Sequence, residues 1–269
     1  MVPSTLIGFD SAWTNNPKAP GAICALTVSE SGSSAFHPPR LATFEQAEEF
    51  ISSVRSASGP TLIALDQPTI VPNLTSSRPV ERVVASLISW LGGGVQPSNR
   101  GRIGMFCDNS PVWKFLTNLG AQESPEDART AKSGLHLMEV FPALALPSLE
   151  PAFCTRLGAP KYNPGRKKAF RREHWCQVAE VTARQFRDLG FSDAASWCDD
   201  VVPISPTKAD QDRLDAMLCL LVAAIWRFAP RERSMVVGDL ETGYMVFPAS
   251  EEVRSRIEGR AALLGVPAC

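Results

Sequence analysis

Two short apolar runs end alike, Thr5 to Asp10 as TLIGFD and Thr61 to Asp66 as TLIALD. A continuous apolar run of this length bounded by turn residues predicts a buried strand. Gly59-Pro60 and Gln67-Pro68 bracket the second run as they would a parallel strand covered on both faces. Ala19 to Val28 (APGAICALTV) follows the first run across a Pro/Asn-rich turn, which predicts a β-hairpin. A third strand is expected near Phe36 to Thr43. Phe44, Ala47, Phe50, Ile51 and Val54 then recur at helical spacing, predicting an amphipathic helix over Phe44 to Ala57.

From Thr69 to about Gly134 the pattern weakens to one helix over Val80 to Leu91, a Gly92-Gly93-Gly94 break and loop-rich sequence. Residues 69–134 therefore read as a helical and loop insertion after the fourth strand that would form a lid. His136 to Phe141 (HLMEVF) predicts another central strand, stopped by Pro142, and a polar helix is expected from about Lys168 to Leu189. The middle of Lys208 to Phe228, AMLCLLVAAIW, is almost wholly apolar, so this helix should lie buried against the sheet. Two short strands, Ser234 to Val237 and Tyr244 to Phe247, and a terminal helix from Glu251 to Leu264 complete an α/β chain. At 269 residues, one domain with an insertion is expected rather than two.

Composition changes this picture little. The chain holds 27 basic and 28 acidic residues, so its surface as a whole is no magnet for nucleic acid, and any grip on phosphate must be local. Seven scattered cysteines, odd in number and never spaced CxxC, predict reduced thiols and no structural zinc. No basic leader precedes the first strand, and no apolar run approaches the roughly 20 residues that span a bilayer. A soluble, unexported, cytoplasmic protein without a membrane partner is the expectation; oligomeric state is not legible.

The candidate chemistry is carboxylate. Asp10 and Asp66 each close a strand at its C-terminal end, where sites in open α/β sheets collect. Either alone has a plain alternative as a turn or helix-capping residue. Asp212 and Asp215 share one face in the first turns of the apolar helix. The helix dipole accounts for Asp212, but Asp215 enters an apolar segment and calls for a counter-charge or a metal.

In order along the chain, Asp10 in GFDSAW, Asp66 in ALDQP, Glu139 in MEVFPA, Asp212-Arg213-Leu214-Asp215 and the GDLETGYMVFP segment resemble the domain-of-unknown-function 429 family of predicted RNase H-fold nucleases. The layout is also similar to RuvC-type resolvases. The resemblance implies an RNase H-like fold over residues 1–269, with a central mixed β-sheet flanked by helices. It also implies metal-ligand roles for Asp10, Asp66, Asp212 and Asp215. Crowded carboxylates raise one another's pKa until a cation neutralises them, and oxygen ligands favour Mg²⁺ or Mn²⁺. Two ions about 4 Å apart then support phosphodiester hydrolysis. Asp10, Asp66, Asp215 and Glu139 are thus the candidate catalytic residues, with Glu139 and Asp212 second choices as ligands or acid/base groups.

Lys161, Tyr162 and Arg166, at the head of the densest basic stretch, are the candidate substrate contacts for DNA or RNA. That stretch also has an ordinary role as a solvated helix face. His136 and His174 lack ligand spacing, the cysteines lack a nearby histidine, and Gly92 to Gly94 lack a phosphate-loop context. Two other functions stay open. An actin-like phosphotransferase handling ATP also begins with a strand-borne aspartate, but it needs two copies of the fold and a Gly/Thr-rich turn. The other is an RNase H-fold binding module without chemistry.

Overall fold

The structure, a computed structural model, describes residues 2–269. Five strands, β1 (Ser4–Asp10), β2 (Gly21–Val28), β3 (Ser34–Ala42), β4 (Thr61–Asp66) and β5 (Leu135–Glu139), form one mixed sheet in the order β3-β2-β1-β4-β5. β1, β4 and β5 run parallel, while β2 is antiparallel to both its neighbours. The hairpin and the two apolar runs ending on aspartate are therefore the centre of the sheet.

The pleat divides each central strand between two cores. Leu6, Leu62, Ala64 and Met138 pack with α8 (Lys208–Phe228) and α6 (Arg172–Asp188) on one face. Ile7, Phe9, Ile63 and Leu65 pack on the other with α1 (Phe44–Val54) and α3 (Pro111–Leu119). α1 starts where predicted because Thr43 and Gln46 form a reciprocal capping box. α8 opens on a second such box, Thr207 with Asp210, and is buried without interruption from Leu214 to Trp226.

Gly8 sets how close α8 comes. A Cβ at this position would lie 2.2 Å from the Ala216 carbonyl oxygen and 2.4 Å from the Leu220 nitrogen. Helix backbone thus rests directly on β1, a contact only glycine permits.

A third core joins α2 (Pro79–Trp90) and α9 (Glu251–Leu264) to the two-stranded sheet of β6 (Ser234–Asp239) and β7 (Gly243–Pro248). Residues 69–134 hold α4 (Pro125–Thr130) as well as α2 and α3, and Phe106, Val112 and Phe115 are built into the core beneath the sheet. With α5 (Pro142–Leu149) and α7 (Ser192–Asp200), α3 and α4 add four helices to the predicted set. Pro142 both ends the strand and opens α5, where its missing N–H costs nothing. Among the described residues no helix is long and apolar enough to cross a membrane.

Candidate functional site

Asp10 and Asp66 are register partners in the parallel pair β1 and β4, so their side chains stand side by side on one face. That face is the one Gly8 presents to α8, two residues earlier on the same strand. Ala216 rests on Gly8, and Asp215 immediately precedes it, so the close packing of helix on strand carries the third carboxylate to the same edge. Asp10 and Asp66 are half-buried and Asp215 is 7% exposed.

The electrostatics follow from this crowding. Burial raises the Asp10 carboxyl well above its ordinary range, and the charges of Asp215, Asp66 and Asp212 raise it further. Asp66 is raised by burial, then by Asp215 and Glu139. Neither the Asp10 nor the Asp66 carboxylate has a hydrogen-bond donor or an ion-pair partner among the described residues. Asp215 differs. Tyr162 donates its hydroxyl to Oδ1 at 2.6 Å and Gln211 donates Nε2 to Oδ2. Burial nevertheless pushes Asp215 up to about 7, with Tyr162 and Lys208 opposing and Asp212 adding to the rise. Asp212, one turn earlier, is ion-paired with Lys208, whose charge also faces Asp10 and Asp215.

The turns after the two strands brace each other. Trp13 donates its indole N–H to the Asp66 carbonyl at 3.1 Å, and Ser11 donates its hydroxyl to that carbonyl at 3.4 Å and to Gln67 Oε1. Trp13 has a left-handed φ of 51°, a conformation that costs a large side chain roughly 1–3 kcal/mol. Its ring packs edge-on against Phe106 at 5.4 Å.

Glu139 takes a different position. It is in register with Leu65, not Asp66, so it leaves the sheet on the opposite face. Arg78 grips both its oxygens, at 2.8 and 2.6 Å, and the Thr69 amide donates to it at 3.1 Å. Burial lifts Glu139 to about 7 against the pull of Arg78. Arg78 also binds Glu81 at 2.9 Å and the Ile70 carbonyl at 3.0 Å, all within the interior. This group joins β5, α2 and the chain leaving β4.

Beside the three aspartates lies a cavity of about 330 Å³. Asp66, Asp215, Lys161, Tyr162 and Arg166 all line it. Lys161 donates its ammonium to the Gly92 carbonyl at 2.7 Å, and Arg166 is exposed. Lys167 and Lys168 point to solvent, while Arg171 and Arg172 are spent on backbone carbonyls. His174 accepts from the Lys161 amide at 2.7 Å, and His136 lies 2.9 Å from the Ser133 carbonyl oxygen, so both have structural partners. Lys208 and Gln211 escape a reading based on acids alone. Their spacing four residues before Asp212 and Asp215 is the signal that marks them as partners on one helix face.

Among the described residues, no three His, Cys, Asp or Glu side chains converge closely enough to grip an ion as they stand. The engagement of Asp215 with Tyr162 and Gln211 is consistent with that. The donor set itself suits a hard cation: it is all oxygen, and two of its carboxylates carry no hydrogen-bond or ion-pair partner among the described residues.

No curated protein and no solved structure matches the chain. The sequence model of the family described as "Protein of unknown function (DUF429)" matches residues 8–242, a span that takes in every carboxylate above and the whole cavity wall. The chain belongs to the DUF429 family.

Proposed function

We propose that this protein is a divalent-metal-dependent phosphodiesterase, a nuclease of RNase H-like fold, with Asp10, Asp66 and Asp215 as its principal metal-holding carboxylates. The observation that carries this reading is the pair Asp10 and Asp66. Two adjacent carboxylates facing a third, with no hydrogen-bond donor or ion-pair partner among the described residues and only the charge of Lys208, itself paired with Asp212, to offset them, are costly to keep and are relieved by a doubly charged ion. The layout of an acid on the first strand, one on the fourth and a pair on a long helix is the one the family resemblance implies. The resemblance puts that pair on the last helix, whereas here β6, β7 and α9 follow the acidic helix.

Bound there, Mg²⁺ or Mn²⁺ would supply neutralising charge at a phosphate and activate an attacking water. The remaining tasks fall to the chain. Tyr162 and Gln211 aim the Asp215 carboxylate. Ser11 and Trp13 hold the end of β4, and with it Asp66, at a fixed distance from β1. Asp212 is the fourth oxygen donor, held in reserve by Lys208. Glu139 takes no part in the shell and serves as the anchor of the Arg78 clamp. Lys161 and Arg166 bring positive charge to the cavity wall for the phosphates of DNA or RNA.

The internal pairing of Asp215 and Asp212 favours a second reading, a binding module that keeps the fold without chemistry. Mn²⁺ titration followed by electron paramagnetic resonance and thermal unfolding, with cleavage assays on labelled oligonucleotides, separates the two. The nuclease reading expects Mn²⁺ to bind, to raise the melting temperature and to support cleavage that Asp10→Asn abolishes. Binding without cleavage of any phosphodiester favours the module, and no Mn²⁺ binding at all refutes the metal site.

A further inference from the structure

We infer that the cavity beside Asp66 and Asp215 is a subsite for one unstacked nucleobase, so that the bond cleaved adjoins a single-stranded or extruded nucleotide. The inference rests on the phosphodiesterase reading above and names the substrate class of that site.

The cavity is built in two halves of opposite chemistry. Its walls are apolar, with Leu91, Phe141, Leu146, Phe153 and Phe170 among them. Asp66, Asp215 and Gln211 form its polar side. At about 330 Å³ it falls at the small end of ligand pockets, which run from roughly 300 to 1,000 Å³. A whole oligonucleotide cannot enter a space of that size; one base with its sugar is the fitting load.

Three observations narrow the occupant. Three phenyl side chains, Phe141, Phe153 and Phe170, lie in the wall, and aromatic side chains stack on bases without regard to sequence. Gln211 is 6% exposed and its Oε1 has no partner, because the amide nitrogen is committed to Asp215. A turn of the Gln211 side chain, which lines the cavity, would present that acceptor to an amino group or ring N–H on a base edge. Arg166, Gly93 and Gly94 line the cavity and are exposed, so its solvent side carries a cation and bare backbone. A nucleotide phosphate at this cavity therefore has both a cation, Arg166, and the carboxylates of Asp66 and Asp215 in the surrounding wall. A base still paired in a duplex reaches such a cavity only by leaving its stack.

The test compares nucleoside 5′-monophosphates with ribose 5-phosphate and inorganic phosphate, measured by calorimetry on the whole chain with and without Mn²⁺. Two variants alter the wall at positions that are only partly buried: Ala143→Trp fills the cavity and Phe170→Ala removes a stacking face. We expect a nucleotide to bind at least about tenfold tighter than ribose 5-phosphate, equal to about 1.4 kcal/mol, within the range of base stacking on aromatic side chains. Either variant should erase that factor while Mn²⁺ affinity stays at the wild-type value. Single-stranded oligonucleotides should be cleaved faster than the matching duplex.

Equal affinity for nucleotide and ribose 5-phosphate overturns the subsite, as does unchanged nucleotide affinity in both folded variants. The two readings fail separately. If Mn²⁺ does not bind but nucleotides do, and the variants lose them, the metal chemistry falls and the base subsite stands. If Mn²⁺-dependent cleavage proceeds with no preference for a base, the subsite falls and the phosphodiesterase stands.

Discussion

Gly8→Ala tests the packing that brings the carboxylates together. The added methyl would lie 2.2 Å from the Ala216 oxygen, 2.4 Å from the Leu220 nitrogen and 2.8 Å from the Leu220 Cβ. Ordinary contact begins at 3.4 Å, so α8 must retreat from β1 by about 1.2 Å, the difference between 3.4 and 2.2 Å. Two of the three obstacles are helix backbone and cannot rotate aside. Overpacking a core costs about 1–3 kcal/mol, occasionally more, and the upper end applies where backbone must move. At about 2–4 °C per kcal/mol for a chain near this size, the melting temperature should fall by roughly 6–12 °C. Asp215 adjoins Ala216 and must recede with it, so Mn²⁺ affinity should fall as well, even where the variant is still folded. Differential scanning calorimetry and a Mn²⁺ titration read the two effects. A variant melting within about 2 °C of wild type, with unaltered Mn²⁺ affinity, would refute the claim that this glycine positions the site.

Asp10→Asn removes a carboxylate that burial and three neighbours disfavour, so in EDTA the variant should melt above wild type while losing all stabilisation by Mn²⁺; a lower melting temperature in EDTA contradicts the repulsion. The pH dependence of the metal-free protein follows from Asp215, raised from an ordinary 3.8 to about 7, with Glu139 raised likewise from 4.5 to about 7. The folded state holds these protons more tightly than the unfolded chain, so their stabilisation is full below about 4 and is lost as pH rises through about 7. Urea unfolding in EDTA should therefore show stability declining between pH 5 and pH 8, and Mn²⁺ affinity should climb over the same window as protons cease to compete. A flat or opposite trend sinks that assignment. Arg78→Met strands Glu81 and Glu139 in the interior and should cost about 3–5 kcal/mol by urea unfolding. The double variant with Glu139→Gln should recover part of that loss, and equal losses in single and double would rule out charge as the cause.

The middle of the sheet was legible because β1, β2 and β4 are covered on both faces and read as unbroken apolar runs with sharp ends. α8 was legible for the same reason at helical length. α5 was not, since PALALPSL contains two prolines and its apolar residues have no helical period; burial on several sides overrides propensity there. α3 and α4 hide in polar, glycine-rich sequence, although each opens on a Ser-Pro pair that marks a helix start. At the site, Asp10, Asp66 and Asp215 stand out as acids ending or entering apolar runs. Which face Glu139 takes depends on a one-residue register that HLMEVF leaves undetermined, since each alternate set holds one polar residue, His136 in one and Glu139 in the other. The cavity is assembled from the end of α2, the start of α5 and the chain around Lys161 to Phe170, and no local pattern announces such a meeting.

Arg78, at the very start of α2, is fastened to Glu81, Glu139 and the Ile70 carbonyl, with its own side chain and both carboxylates buried. A helix bolted down at its root cannot pivot without tearing that ionic knot, so α2 works as a stiff mast beside the carboxylates. Gly92, Gly93 and Gly94 at the mast's tip give the entrance a compliant edge. The doorway can flex while the frame that measures distance to the acids stays put.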